Sequence, residues 1–66
     1  MNLKEKMRLD VGDEVNWVDP DNGVCSGTHR IVDILTESKR VEAIDSVLVL
    51  ESDIGSVAEA YVSEVA

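Results

Sequence analysis

Residues 28 to 35, Thr-His-Arg-Ile-Val-Asp-Ile-Leu, carry apolar side chains on both alternating faces: Ile31 and Leu35 on one, Val32 and Ile34 on the other. The β-branched content favours extended backbone. A sheet with one wet face would instead show apolar residues on a single parity. The run therefore predicts a strongly bent strand that serves both sides of a small closed barrel. No other segment narrows the fold as far.

The flanking segments fit around such a strand. In Val11-Gly-Asp-Glu-Val-Asn-Trp-Val18, Val11, Val15 and Trp17 share a parity with Asp13, while Gly12, Glu14 and Asn16 point the other way. That predicts a half-buried strand entered through a Gly-Asp turn. Asp19-Pro20-Asp21-Asn22-Gly23 then stops the strand, because proline fixes φ, Asx side chains bond nearby backbone, and glycine accepts positive φ. Thr36 to Arg40 is a polar break, and Ser46 to Glu51 is a second near-continuous apolar strand. Ser52 to Gly55 reads as a short turn, so a hairpin follows.

The last segment supports two readings. Ser56 with Glu59 three positions later is a capping-box pattern, and Val57, Tyr61 and Val65 fall at helical spacing. Ala58, Ala60 and Val62 also alternate against Glu59, Tyr61 and Ser63, as a strand would. Residues 2 to 9 show no clear period and suit a frayed tail or one helical turn. The expected core is Val15, Trp17, Ile31, Ile34, Val47 and Val49.

With 66 residues the chain makes one domain with a small core; such a chain buries roughly 60% of its unfolded surface. A walled enzyme pocket usually needs ~300 Å³ or more, so a non-enzymatic binding or adaptor module is expected. The start of the chain lacks the apolar stretch of a signal peptide and no apolar run approaches a membrane span, which makes the cytoplasm the expected compartment. A single cysteine forms no internal disulfide, in keeping with a reducing environment.

Charge is the strongest compositional fact. Fourteen acids against six bases leave a net charge of −8, and from Val41 to the end there are acids but no Lys or Arg. Nucleic-acid affinity comes chiefly from Lys and Arg on phosphates, so direct DNA or RNA binding is not expected. The acidity serves solubility, or steers a basic protein towards the surface.

The segment Asp19 to Arg30 concentrates residue types that carry chemistry, and each pattern fails a stricter test. Counted from Asp19, a calcium loop would need a ligand at Gly23, glycine at Val24 and glutamate at Arg30. A phosphate loop needs Gly-Lys-Ser/Thr, and no lysine lies between Lys6 and Lys39. One Cys and one His fall short of a zinc set. Cys25 reads as a small packed residue, and Ser26, His29 and Asp33 follow one another without implying a triad. No catalytic residue, metal or cofactor is expected. Trp17 and Tyr61 are the only aromatics, too few to cage a cation. Trp17 suits core filling and Tyr61 a surface groove. His29, if exposed beside Asp33 and the Asp19–Asp21 turn, would feel a negative potential that favours its protonated form; otherwise it reads as an ordinary strand histidine.

Taken together, Gly12-Asp13 leading into a strand, a glycine-bearing loop, and a strand marked by Gly27, Ile31 and Ile34 resemble SH3-like small barrels of the KOW and Tudor-like kind. The closing Gly55 to Val65 resembles the last strand and terminal 3₁₀ turn of small uncharacterised bacterial proteins of that shape. The resemblance spans about residues 9 to 66. It implies an all-β, SH3-like barrel of four to five strands with a short terminal 3₁₀ turn, preceded by a flexible basic tip over residues 1 to 8. On its strength residues 57 to 61 are read as strand. The expected function is binding of a protein partner through the 19–28 loop and the adjacent strand face, with Trp17, Asp19, Asp21, His29 and Tyr61 as contact residues. The alternative is an acidic decoy that imitates nucleic-acid phosphates and occupies a DNA-binding protein. A monomer or a weak dimer formed through edge strands fits either function.

Overall fold

The computed structural model describes residues 2–17 and 27–65. Four antiparallel strands form one sheet in sequence order, β1 (Glu14–Trp17), β2 (Gly27–Ile34), β3 (Val47–Ser52) and β4 (Val57–Tyr61). A short helix α1 (Leu3–Lys6) precedes them, and a 3₁₀ turn (Val62–Glu64) follows. The sheet is open, with one isolated antiparallel bridge, Trp17 to Val65, joining the end of β1 to the residue after the 3₁₀ turn.

The basic tip begins with α1, capped by the Asn2 side chain, which accepts from Glu5 N–H at 2.9 Å. Strand β1 starts later than the alternation suggests: Val11 is exposed because Gly12, at φ +99°, turns the chain there. Gly12 N–H donates to Ile31 carbonyl at 2.8 Å, and Ile31 N–H donates to Asp13 carbonyl at 2.9 Å. The Gly-Asp corner is thus fastened to β2 before β1 begins.

The bend in β2 comes from a bulge. Ile31 pairs with Leu50 and Asp33 with Val49, so Val32 is the extra residue. That insertion brings Ile31 and Ile34, of opposite parity, onto the same buried face. Asp33 Oδ1 accepts from Ile34 N–H at 2.8 Å beside the bulge. Val32 and Leu35 remain exposed, so the second apolar row is only partly used.

Val15, Trp17, Ile31 and Ile34 lie in the core with Leu9, Val41, Leu48, Leu50, Ala60, Val62 and Val65. The expected Val47 and Val49 do not; both are half-buried. Cross-strand partners share a face, and Ile31 opposes Leu50 while Ile34 opposes Leu48. That register turns the even positions of β3 inward.

The hairpin of β3 and β4 forms where the turn residues placed it, with Ser52 N–H donating to Ser56 carbonyl at 2.8 Å. Residues 57 to 61 are strand, and a 3₁₀ turn follows. Pairing Leu48 with Ala60 buries Ala60, and Val62 follows inward on the same parity, which a free helix could not have matched. Between β2 and β3, the buried Ser46 Oγ accepts from Glu42 and Ala43 N–H at 3.1 and 3.0 Å. Ser46 and Ile44 carbonyls in turn accept from Val62 and Ser63 N–H, each at 3.0 Å. This loop therefore holds the 3₁₀ turn in place. No helix among the described residues is long and apolar enough to cross a membrane.

Candidate partner-binding site

The strands place Trp17 and Gly27 opposite each other at the end of the β1–β2 pair where the connecting segment leaves and returns. Asp19 and Asp21 belong to that segment and lie outside the described residues, as does Cys25. Thr28 continues β2 on the outer face, where its hydroxyl donates to Asn16 Oδ1 at 3.3 Å.

Trp17 and His29 both face inward. Their rings meet edge to face, with centroids 5.5 Å apart and planes at 84°. Trp17 is 5% and His29 2% exposed, so His29 is a core residue and not the exposed strand histidine a contact role would need. His29 Nδ1 lies 2.9 Å from Gly27 carbonyl. A carbonyl oxygen only accepts, so Nδ1 carries a proton in this contact. Among the described residues, neither Nε2 nor Trp17 Nε1 has a hydrogen-bond partner. The pair fills the loop-bearing end of the core.

The outer face of the same strands is polar. Register sets Glu14, Arg30 and Glu51 side by side across β1, β2 and β3. Arg30 Nη2 donates to Glu51 Oε1 at 3.1 Å, an exposed ion pair. With Gly27, Thr28 and Asp53, and with the edges of the inward-facing His29 and Ser52, these residues line an open cleft of about 700 Å³. Three carboxylates around one already paired guanidinium make it locally negative. Such a surface attracts cations and repels phosphate.

Tyr61 is half-exposed at the far end of β4, opposite Val47. A shallow recess of about 180 Å³ lies there, bounded by Val47, Glu59, Ala60, Tyr61 and Glu64. Tyr61 points out of the sheet and Trp17 into it, so the two aromatics share no surface. The residues that sequence reasoning missed are Glu14, Arg30, Glu51 and Asp53. Only the outward parity of Glu14 was readable, from the alternation of β1. Arg30 and Glu51 belong to strands apolar on both parities, and Asp53 lies in the turn after β3, so their grouping appears only with the register. Among the described residues, no group of three or more His, Cys, Asp or Glu is placed to hold a metal ion. Comparison of the chain with protein-family models, with curated proteins and with solved structures gives no match.

Proposed function

We propose that the chain is a non-enzymatic interaction module built as a small SH3-like barrel, which binds a protein partner through the 19–28 loop and the adjacent strand face. The barrel reading is supported by the Trp17–Val65 bridge, which brings the residue after the 3₁₀ turn back onto β1. The observation that carries the function is the acidic cleft of Glu14, Glu51 and Asp53 beside the root of that loop. Loops held by a rigid sheet are where contact residues concentrate, and the negative cleft next to this one favours a basic partner.

The decoy reading would need carboxylates in rows with phosphate-like spacing on one face. Here Arg30 stands between Glu14 and Glu51, and Val49 between Asp33 and Glu59. The interruptions favour the module. The test is affinity capture on the immobilised protein at low and high salt, followed by titration of the purified partner against wild type and the Asp19→Ala/Asp21→Ala/Glu14→Ala variant. The expected result is a protein partner whose affinity falls in the variant and weakens only gradually with salt. A DNA-binding protein lost steeply with salt would establish the decoy instead, and unchanged affinity in the variant would remove the loop and cleft from the contact.

A further inference from the structure

At the other side of the sheet, β4 is an outermost strand. Val62 N–H donates to Ser46 carbonyl, and Ser52 N–H to Ser56 carbonyl. In an antiparallel ladder, bonded and non-bonded pairs alternate. The bonded pairs of β3 and β4 are therefore the even ones, Leu48 with Ala60 and Leu50 with Ala58, within the observed register. The backbone groups of Val57, Glu59 and Tyr61 then point away from β3, to the open edge. Tyr61 N–H is taken by Glu64 Oε1 at 2.9 Å, as its outward direction requires. By this alternation the N–H and C=O groups of Val57 and Glu59 have no partner on β3, and no turn or loop bond among the described residues uses them. Two such residues, one repeat apart, offer two bonded pairs to an incoming strand.

The side chains beside that edge define what can dock. Val57 is 61% and Tyr61 51% exposed, and Glu59 stands between them on the same outer face. Val47 and Val49 of β3, half-buried behind them, supply an apolar floor. No Lys or Arg occurs from Val41 to the end of the chain. A second copy added antiparallel about Glu59 would set glutamate against glutamate, and like charges directly opposite are destabilising. A strand with a base at that position meets a complementary charge instead.

We infer that the free edge of β4 is a docking site for an extended segment of another protein bearing Lys or Arg flanked two residues away on each side by apolar residues. Main-chain bonds to Val57 and Glu59 hold the segment, the base pairs with Glu59, and the apolar residues cover Val57 and Tyr61. The site goes beyond the loop-and-cleft contact and stands or falls separately from it.

The probe is a synthetic nonapeptide with Val-Thr-Lys-Thr-Val at its centre, its Glu-for-Lys counterpart as control, and amide hydrogen exchange by NMR as the readout. With the Lys peptide, exchange at Val57 and Glu59 should slow, and this peptide should bind about threefold to tenfold tighter than the control. Glu59→Lys should invert the preference, and Glu59→Gln, which keeps shape and removes charge, should abolish it. Protection elsewhere, including protection confined to Thr28–Arg30, would overturn the edge site, although the latter would leave the loop-and-cleft reading standing. A preference untouched by both variants, or sedimentation showing copies of the chain paired through β4, would also overturn it.

Discussion

Leu48 and Val49 are neighbours in β3 with opposite tasks: Leu48 is fully buried and Val49 half-exposed on the other face. Leu48→Ala should cost about 2–5 kcal/mol, the range for truncating a core leucine. Val49→Ala should cost under about 1 kcal/mol, since it loses only part of a valine's burial. Urea unfolding of both variants checks the ranking, and the reverse order would turn the odd face inward. Nothing in Val-Leu-Val-Leu states which parity is buried; Ile31 and Ile34 decide it across the strand. His29 was equally opaque, because its inward direction depends on the same register. Gly12 was more readable, as a glycine beside an aspartate before an alternating run. Its φ of +99° disfavours side chains, yet a Cβ there meets nothing within 4 Å. Gly12→Ala should therefore cost about 1–3 kcal/mol through the backbone alone. A chemically synthesised chain with D-alanine at position 12 should melt close to wild type, and an equal loss from both forms would show crowding rather than conformation.

At the scale of elements, the hairpin of β3 and β4 was legible from its turn, and the strand at 57–61 was not legible from its own pattern. Val57, Tyr61 and Val65 suit a helix and Ala58, Ala60 and Val62 a strand until β3 supplies a partner. The bent β2 was foreseen from its two apolar rows, although the bulge uses those rows unequally. The Val41–Ser46 loop gave no signal of its structural part, since serine is common in any turn. Ser46→Ala would leave the Glu42 and Ala43 N–H groups without their acceptor. A loss of about 0.5–1.5 kcal/mol for each of these part-buried bonds is expected. Because Val62 and Ser63 hang on the same loop, their amides should exchange faster in the variant. Faster exchange confined to Glu42 and Ala43 would mean that the loop and the 3₁₀ turn are not coupled.

For the molecule as a whole, net charge of −8 on a small body is a standing repulsion. The ion pairs found among the described residues, Arg30–Glu51 and Lys39–Asp33, are both exposed, and exposed pairs are worth about 0–1 kcal/mol each. Screening thus removes more repulsion than attraction. Raising NaCl to ~0.5 M, where the Debye length is below about 5 Å, should raise the melting temperature. A fall would show that attractive pairs dominate. Composition announced this balance plainly. Whether the strands close on themselves was beyond it, because closure depends on how far one bulge bends one strand.

The bridge from Trp17 to Val65 has a kinetic side. Strands β2, β3 and β4 follow one another through residues 35–46 and 53–56, which close at smaller entropic cost than a contact across the whole chain. The bridge joins positions separated by most of the chain, so it has little reward until the meander stands. Its contacts should be absent from the transition state and present only in the finished domain. Val65→Ala should then leave the refolding rate nearly unchanged and accelerate unfolding, read from the two arms of a urea chevron. Slowed refolding would place this contact in the nucleus. The last contact to form would also be the first to open, so the lifetime of the native state, more than the speed of reaching it, rests on one valine near the end of the chain.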